Sequence, residues 1–142
     1  MRLNMMGNRG LIFWLFTLCL GCGATQHQRI LYQTVRSYHQ QLRWSLLDEA
    51  RTYVAPTLGN EWNKNHRLKK LPIKIVSIDR RSLGAPTGEP PTAKFEIKVT
   101  WYVEGEMKLK ESYWRETWRI VDFRWQLTEE KRAKNTSGLG WP

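Results

Sequence analysis

With 142 residues the chain has room for one compact domain and a short tail, and not for several domains. Its two cysteines, Cys19 and Cys22, flank an expected cleavage region, which excludes an internal disulfide in the mature chain and leaves the fold to packing alone. The formal net charge of +10 favours anionic neighbours, and the mature part stays at about +8 once Arg2 and Arg9 are removed.

Residues 1–10 carry two positive charges and no acid, and the run Leu11 to Leu20 is apolar apart from Thr17. Crossing roughly 30 Å of hydrocarbon takes about 20 apolar residues, so this shorter run reads as a signal-peptide core over residues 1–21. It ends in Leu20-Gly21-Cys22-Gly23, which resembles the lipobox of bacterial lipoproteins; Cys19 stands where that family has Leu, Val or Ile. The resemblance implies cleavage before Cys22 and acylation of its thiol, palmitate-type chains included, with residues 22–28 as a lipidated tether. Gly23, where an Asp would retain the protein at the inner membrane, implies the outer membrane, facing the periplasm. The alternative is an ordinary secretory signal with incidental cysteines.

Next, Leu31, Val35, Tyr38, Leu42, Leu46, Ala50 and Tyr53 recur every three or four residues, the stripe of one long amphipathic helix that Pro56 and Gly59 end. Gln33, Arg36, Gln40, Arg43 and Arg51 take its other side. A second, shorter helix is expected over Asn60–Leu68.

From Pro72 the period falls to two. Ile73, Ile75 and Ile78 predict one strand, and Phe95, Ile97, Val99, Trp101 and Val103 a second, with Lys94, Glu96, Lys98 and Thr100 on its other face. Between them, Arg80 to Thr92 holds Pro90-Pro91 and reads as a surface loop. Glu104-Gly105-Glu106 reverses the chain. In the third strand Met107 and Leu109 occupy odd positions while Trp114, Trp118 and Ile120 occupy even ones, so a bulge near Glu111–Tyr113 is expected. Asp122-Phe123 turns into a last strand, Arg124 to Thr128, and residues 131–142 read as a mobile basic tail.

The predicted class is therefore α+β, a long N-terminal helix packed in the hollow of a curved, mainly antiparallel four-stranded sheet spanning residues 29–130. Two segments, Leu42-Arg43-Trp44 running on to Val54 and the hairpin Thr117-Trp118-Arg119-Ile120-Val121-Asp122-Phe123-Arg124-Trp125-Gln126-Leu127, resemble the nuclear transport factor 2-like superfamily. Phe123 stands where that pattern favours Gly. The resemblance implies a cone-shaped domain and does not assign a function.

Members that are enzymes place an acid, a base or a Tyr inside the cone. Here Glu116, between Trp114 and Trp118 on one side of a strand, is a candidate general base, or else a rim carboxylate paired with Arg115, Arg119 or Arg124. Trp101, Trp114, Glu116 and Trp118 are the candidate pocket residues. Glu111 faces inward only in the odd register, and Asp48, near Trp44, faces the cone opening or else is a solvated helix residue. His27, His39 and His66 are scattered, read as surface residues and suggest no metal site. Trp44, Trp62 and Trp125 join the other tryptophans as pocket lining or as core. Lys94, Lys98, Lys108 and Lys110 alternate with apolar positions, as on a solvated sheet face, so nucleic acid is not the expected partner. No catalytic residue or cofactor is assigned. The expected partners are the membrane, through the lipid, and an envelope protein or anionic envelope component. The leading expectation is a non-catalytic binding or scaffolding lipoprotein; the alternative is a periplasmic carrier or enzyme with its site inside the cone.

Overall fold

The computed structural model describes residues 22–67, 72–106 and 108–133, without the side chains of 22–25 and 67. The leader 1–21, Met107 and residues 134–142 of the expected tail lie outside the described residues. Helix α1 spans Cys22–Arg43, taking in the stretch read as a tether, and buries Leu31, Val35, Tyr38 and Leu42 along one stripe. Each such side chain, removed from water, contributes roughly 1.5–3 kcal/mol.

The single long helix expected through Tyr53 is broken. Ser45 adopts φ 58°, its amide donates to the Leu42 carbonyl, and the Leu46 amide reaches back to Gln41. That pair of bonds is a Schellman cap with serine in the left-handed position usually held by glycine. The chain turns there, so Leu46 leaves the expected stripe, and both Trp44 and Leu46 are exposed. A short helix α2, Leu47–Arg51, follows, and a 3-10 turn, Pro56–Leu58, leads into α3, Gly59–Arg67, which buries Trp62.

Strands β1 Ile73–Ser82, β2 Thr92–Val103, β3 Lys110–Val121 and β4 Arg124–Arg132 form an antiparallel meander in sequence order. Alternation brings Phe95, Ile97, Val99 and Trp101 of β2 and Ser112, Trp114, Glu116 and Trp118 of β3 to the buried face. The expected bulge near Glu111–Tyr113 does not form: β3 pairs with β2 in unbroken register from Lys110 to Arg119, and even positions face inward throughout. The odd-numbered Leu109 lies before the strand and is exposed, which removes the conflict.

Two register shifts occur elsewhere. One sits at Val76 in β1, between the pairs Ile75–Trp101 and Ser77–Thr100. The other sits at Thr128 in β4, between the pairs Thr117–Glu129 and Trp118–Leu127. An extra residue reverses which side chains face the core. Hence Trp125 and Leu127 point inward before Thr128, and Glu130 points inward after it. The strand also runs to Arg132, past the Thr128 end predicted from sequence, because Glu129 to Arg132 pair with Trp114 to Thr117. On the far side of β4, Tyr53 to Ala55 cover the edge: the Ala55 amide donates to the Leu127 carbonyl and the Leu127 amide to Tyr53.

At the hairpin between β3 and β4, Asp122 and Phe123 have φ of 48° and 60°, the double positive pattern of a type I′ turn. Phe123 is fully exposed there. The outer sheet face is polar, with Lys98 2.7 Å from Glu111 and Arg115 3.6 Å from Glu96. Hydrogen bonds from Lys98 and Tyr113 hold the Glu111 carboxyl below the usual carboxylate range.

Candidate functional site

Helix spacing brings an unusual set of polar side chains into the core. His39 follows Val35 by four and precedes Leu42 by three, so it belongs to the buried stripe; His66 follows Trp62 by four on α3. Both imidazoles are buried, which corrects the expectation that they lie at the surface. His27 is exposed, as is Asp48.

Each buried imidazole meets a glutamate from the sheet. His39 Nε2 is 2.7 Å from Glu116 Oε1, and His66 Nε2 is 2.8 Å from Glu130 Oε2. Where the carboxylate oxygen accepts, the imidazole nitrogen that donates to it is Nε2 in both rings. The second oxygens are also engaged: Trp118 Nε1 donates to Glu116 Oε2 at 2.9 Å, and the Tyr38 hydroxyl donates to Glu130 Oε1 at 3.2 Å. Trp62 Nε1 in turn donates to the Tyr38 oxygen at 2.9 Å, and the Trp62 ring stacks on His66 with centroids 4.5 Å apart. Glu116 is thus no rim carboxylate paired with Arg115, Arg119 or Arg124. Its even-numbered position turns it to the core, while those three arginines face away from it.

Glu116 and Glu130 are direct cross-strand partners. Two like charges so placed would repel, and the four donors from the helices and from Trp118 are what make the pair tolerable. Burial first, then the nearby Glu130 and Glu116 carboxylates, pushes the Tyr38 phenol well above its ordinary value. Tyr38 is therefore a neutral hydrogen-bond donor at physiological pH.

Of the four candidate pocket residues, Glu116 and Trp118 are joined by a hydrogen bond, and Trp101 Nε1 donates to Ser112 at 2.9 Å. All four are buried, and none lines the surface cleft beside the β3–β4 hairpin or the one between α1 and β1. Trp62 and Trp125 are likewise core, whereas Trp44 is 66% exposed. Lys110, read as part of the solvated face, lies on the inward side of β3 and places its ammonium 5.2 Å from the centre of the Trp101 ring. Among the described residues, no group of three or more His, Cys, Asp or Glu could hold a metal ion.

Open space lies at the surface. A cleft of about 590 Å³ runs between the first turns of α1 and the β3–β4 hairpin, walled by Ile30, Tyr53, Ile120, Phe123 and Trp125, with Arg124 at its side. A second, of about 320 Å³, lies between α1 and β1. No protein-family model matches this chain, and no curated protein matches it either.

Proposed function

We propose that this chain is an envelope lipoprotein, cleaved before Cys22 and anchored there by lipid, whose α+β body acts as a non-catalytic binding module on the periplasmic side of the outer membrane. Its helix-against-sheet arrangement suits the cone shape implied by the resemblance to nuclear transport factor 2-like domains. The observation that carries the binding role is the division between interior and surface. Both oxygens of Glu116 and of Glu130 are taken up by protein donors in the core, while an apolar cleft ends in the fully exposed Phe123. An aromatic side chain held in water at a positive φ, beside an apolar groove, suits contact with a partner.

The alternative of an interior catalytic or carrier site draws on one feature, the His39–Glu116 pair, since imidazole and carboxylate at 2.7 Å are the elements of acid–base chemistry. A single experiment separates the readings. The acylated protein and its Phe123→Asn variant are cross-linked in their own envelope and recovered, asparagine being at ease at positive φ. A stoichiometric partner captured by the parent and lost in the variant is the expected outcome; equal capture, or none, overturns the binding role. The anchor is checked in the same preparation: Cys22→Ser is expected to leave the membrane fraction or to stay unprocessed, and its normal retention would remove the lipid from the account.

A further inference from the structure

The 320 Å³ cleft between α1 and β1 is bounded by Arg36, Arg43, Arg80, His39 and Trp44. Its charges converge for reasons of periodicity. Arg36 and Arg43 are seven apart, two turns of one helix face, with His39 between them. Arg80 comes from the opposite side: the bulge at Val76 turns it to the inward face of the edge strand, where it pairs with Ile97.

Among the described residues none of the three arginines forms an ion pair, although other basic residues, Arg81 and Arg115 on the outer face among them, find a glutamate. Glu116, the carboxylate that meets His39, is already engaged by His39 and Trp118. His39 Nδ1 has no hydrogen-bond partner. Trp44, 66% exposed, flanks the opening with the Arg43 guanidinium 6.0 Å from its ring centre. Three uncompensated guanidiniums, a buried imidazole and a flat apolar wall form a cationic pocket with no anion of its own.

We propose that this pocket binds a phosphate-bearing ligand, the phosphate held between Arg36, Arg43 and Arg80 and the attached organic group lying against Trp44. Guanidinium matches phosphate oxygens in pairs, which makes arginine the residue for this task. The volume lies at the lower end of small-ligand sites and suits a phosphate with a small headgroup. The pocket is separate from the Phe123 cleft, and the proposal stands whether or not Cys22 carries lipid.

The test titrates the purified full-length mature protein with two probes, inorganic phosphate and micelle-free short-chain phosphatidic acid, following calorimetric heat and the His39 ring resonances. Saturable binding is expected, weakened about tenfold in each of Arg36→Gln, Arg43→Gln and Arg80→Gln and unchanged in Arg115→Gln, which loses the same charge on the outer face. Binding of both probes identifies the phosphate alone as the recognised group. Binding of phosphatidic acid alone identifies a lipid headgroup. No saturable binding of either probe, or equal weakening by Arg115→Gln, overturns the proposal.

Discussion

At the scale of single residues, the core depends on matching donors and acceptors as much as on apolar fit. His39 and Glu116 hydrogen-bond in a site sealed from water, so removing one leaves the other without that partner. His39→Leu is expected to cost about 1–3 kcal/mol in a urea unfolding experiment, whereas His39→Leu combined with Glu116→Leu should cost clearly less than the two single changes added together. Simple additivity would mean that the pair is not coupled. Tyr38 gives a pH signature. Its phenol ionises above the ordinary value of 10, so below pH 10 it is neutral in both folded and unfolded chains. As pH rises past 10 the unfolded chain loses that proton first, and the folded state loses stability relative to it. The stability difference between the parent and Tyr38→Phe should therefore be constant up to about pH 10 and shrink above it. Parallel curves to pH 11 would remove the buried phenol from the explanation.

Elements were legible in the sequence where periodicity was clean and obscured where a backbone device intervened. The alternation from Phe95 to Val103 placed β2 within a few residues, and Trp114 and Trp118 correctly put Glu116 on their own face. The helix break was hidden because Ser45 does what glycine ordinarily does, and the stripe continues past it by coincidence. Glu130 was hidden because a bulge leaves no mark in a run such as Thr-Glu-Glu-Lys; parity counted from Trp125 and Leu127 points to Glu129 instead. His39 and His66 carried a usable signal in their spacing from Val35 and Trp62, but polar residues on a buried stripe announce themselves only when their partners on the sheet are known. Where a device is strained, the strain is measurable. A phenylalanine at φ 60° costs about 1 kcal/mol relative to glycine, so Phe123→Gly should raise the unfolding free energy by about that amount. An unchanged or lower value would show that the ring of Phe123 stabilises the hairpin by packing.

For the molecule as a whole, the α+β class and the four-stranded antiparallel order followed from the sequence, since each strand and its turn carried its own pattern. The arginine pocket did not, because it needs the Val76 bulge to turn Arg80 toward α1 and so depends on two elements at once. The polar interior draws its parts from both ends of the domain. The link from Tyr38 to Glu130 spans 92 positions, and that from His66 to Glu130 spans 64. A growing chain that has not yet delivered residue 130 holds two helices whose inner faces carry unmet hydrogen-bonding groups, and closing them early is penalised. Completion of the last strand is thus the step that locks the body shut, and resistance to proteases should arrive only when that final segment is in hand.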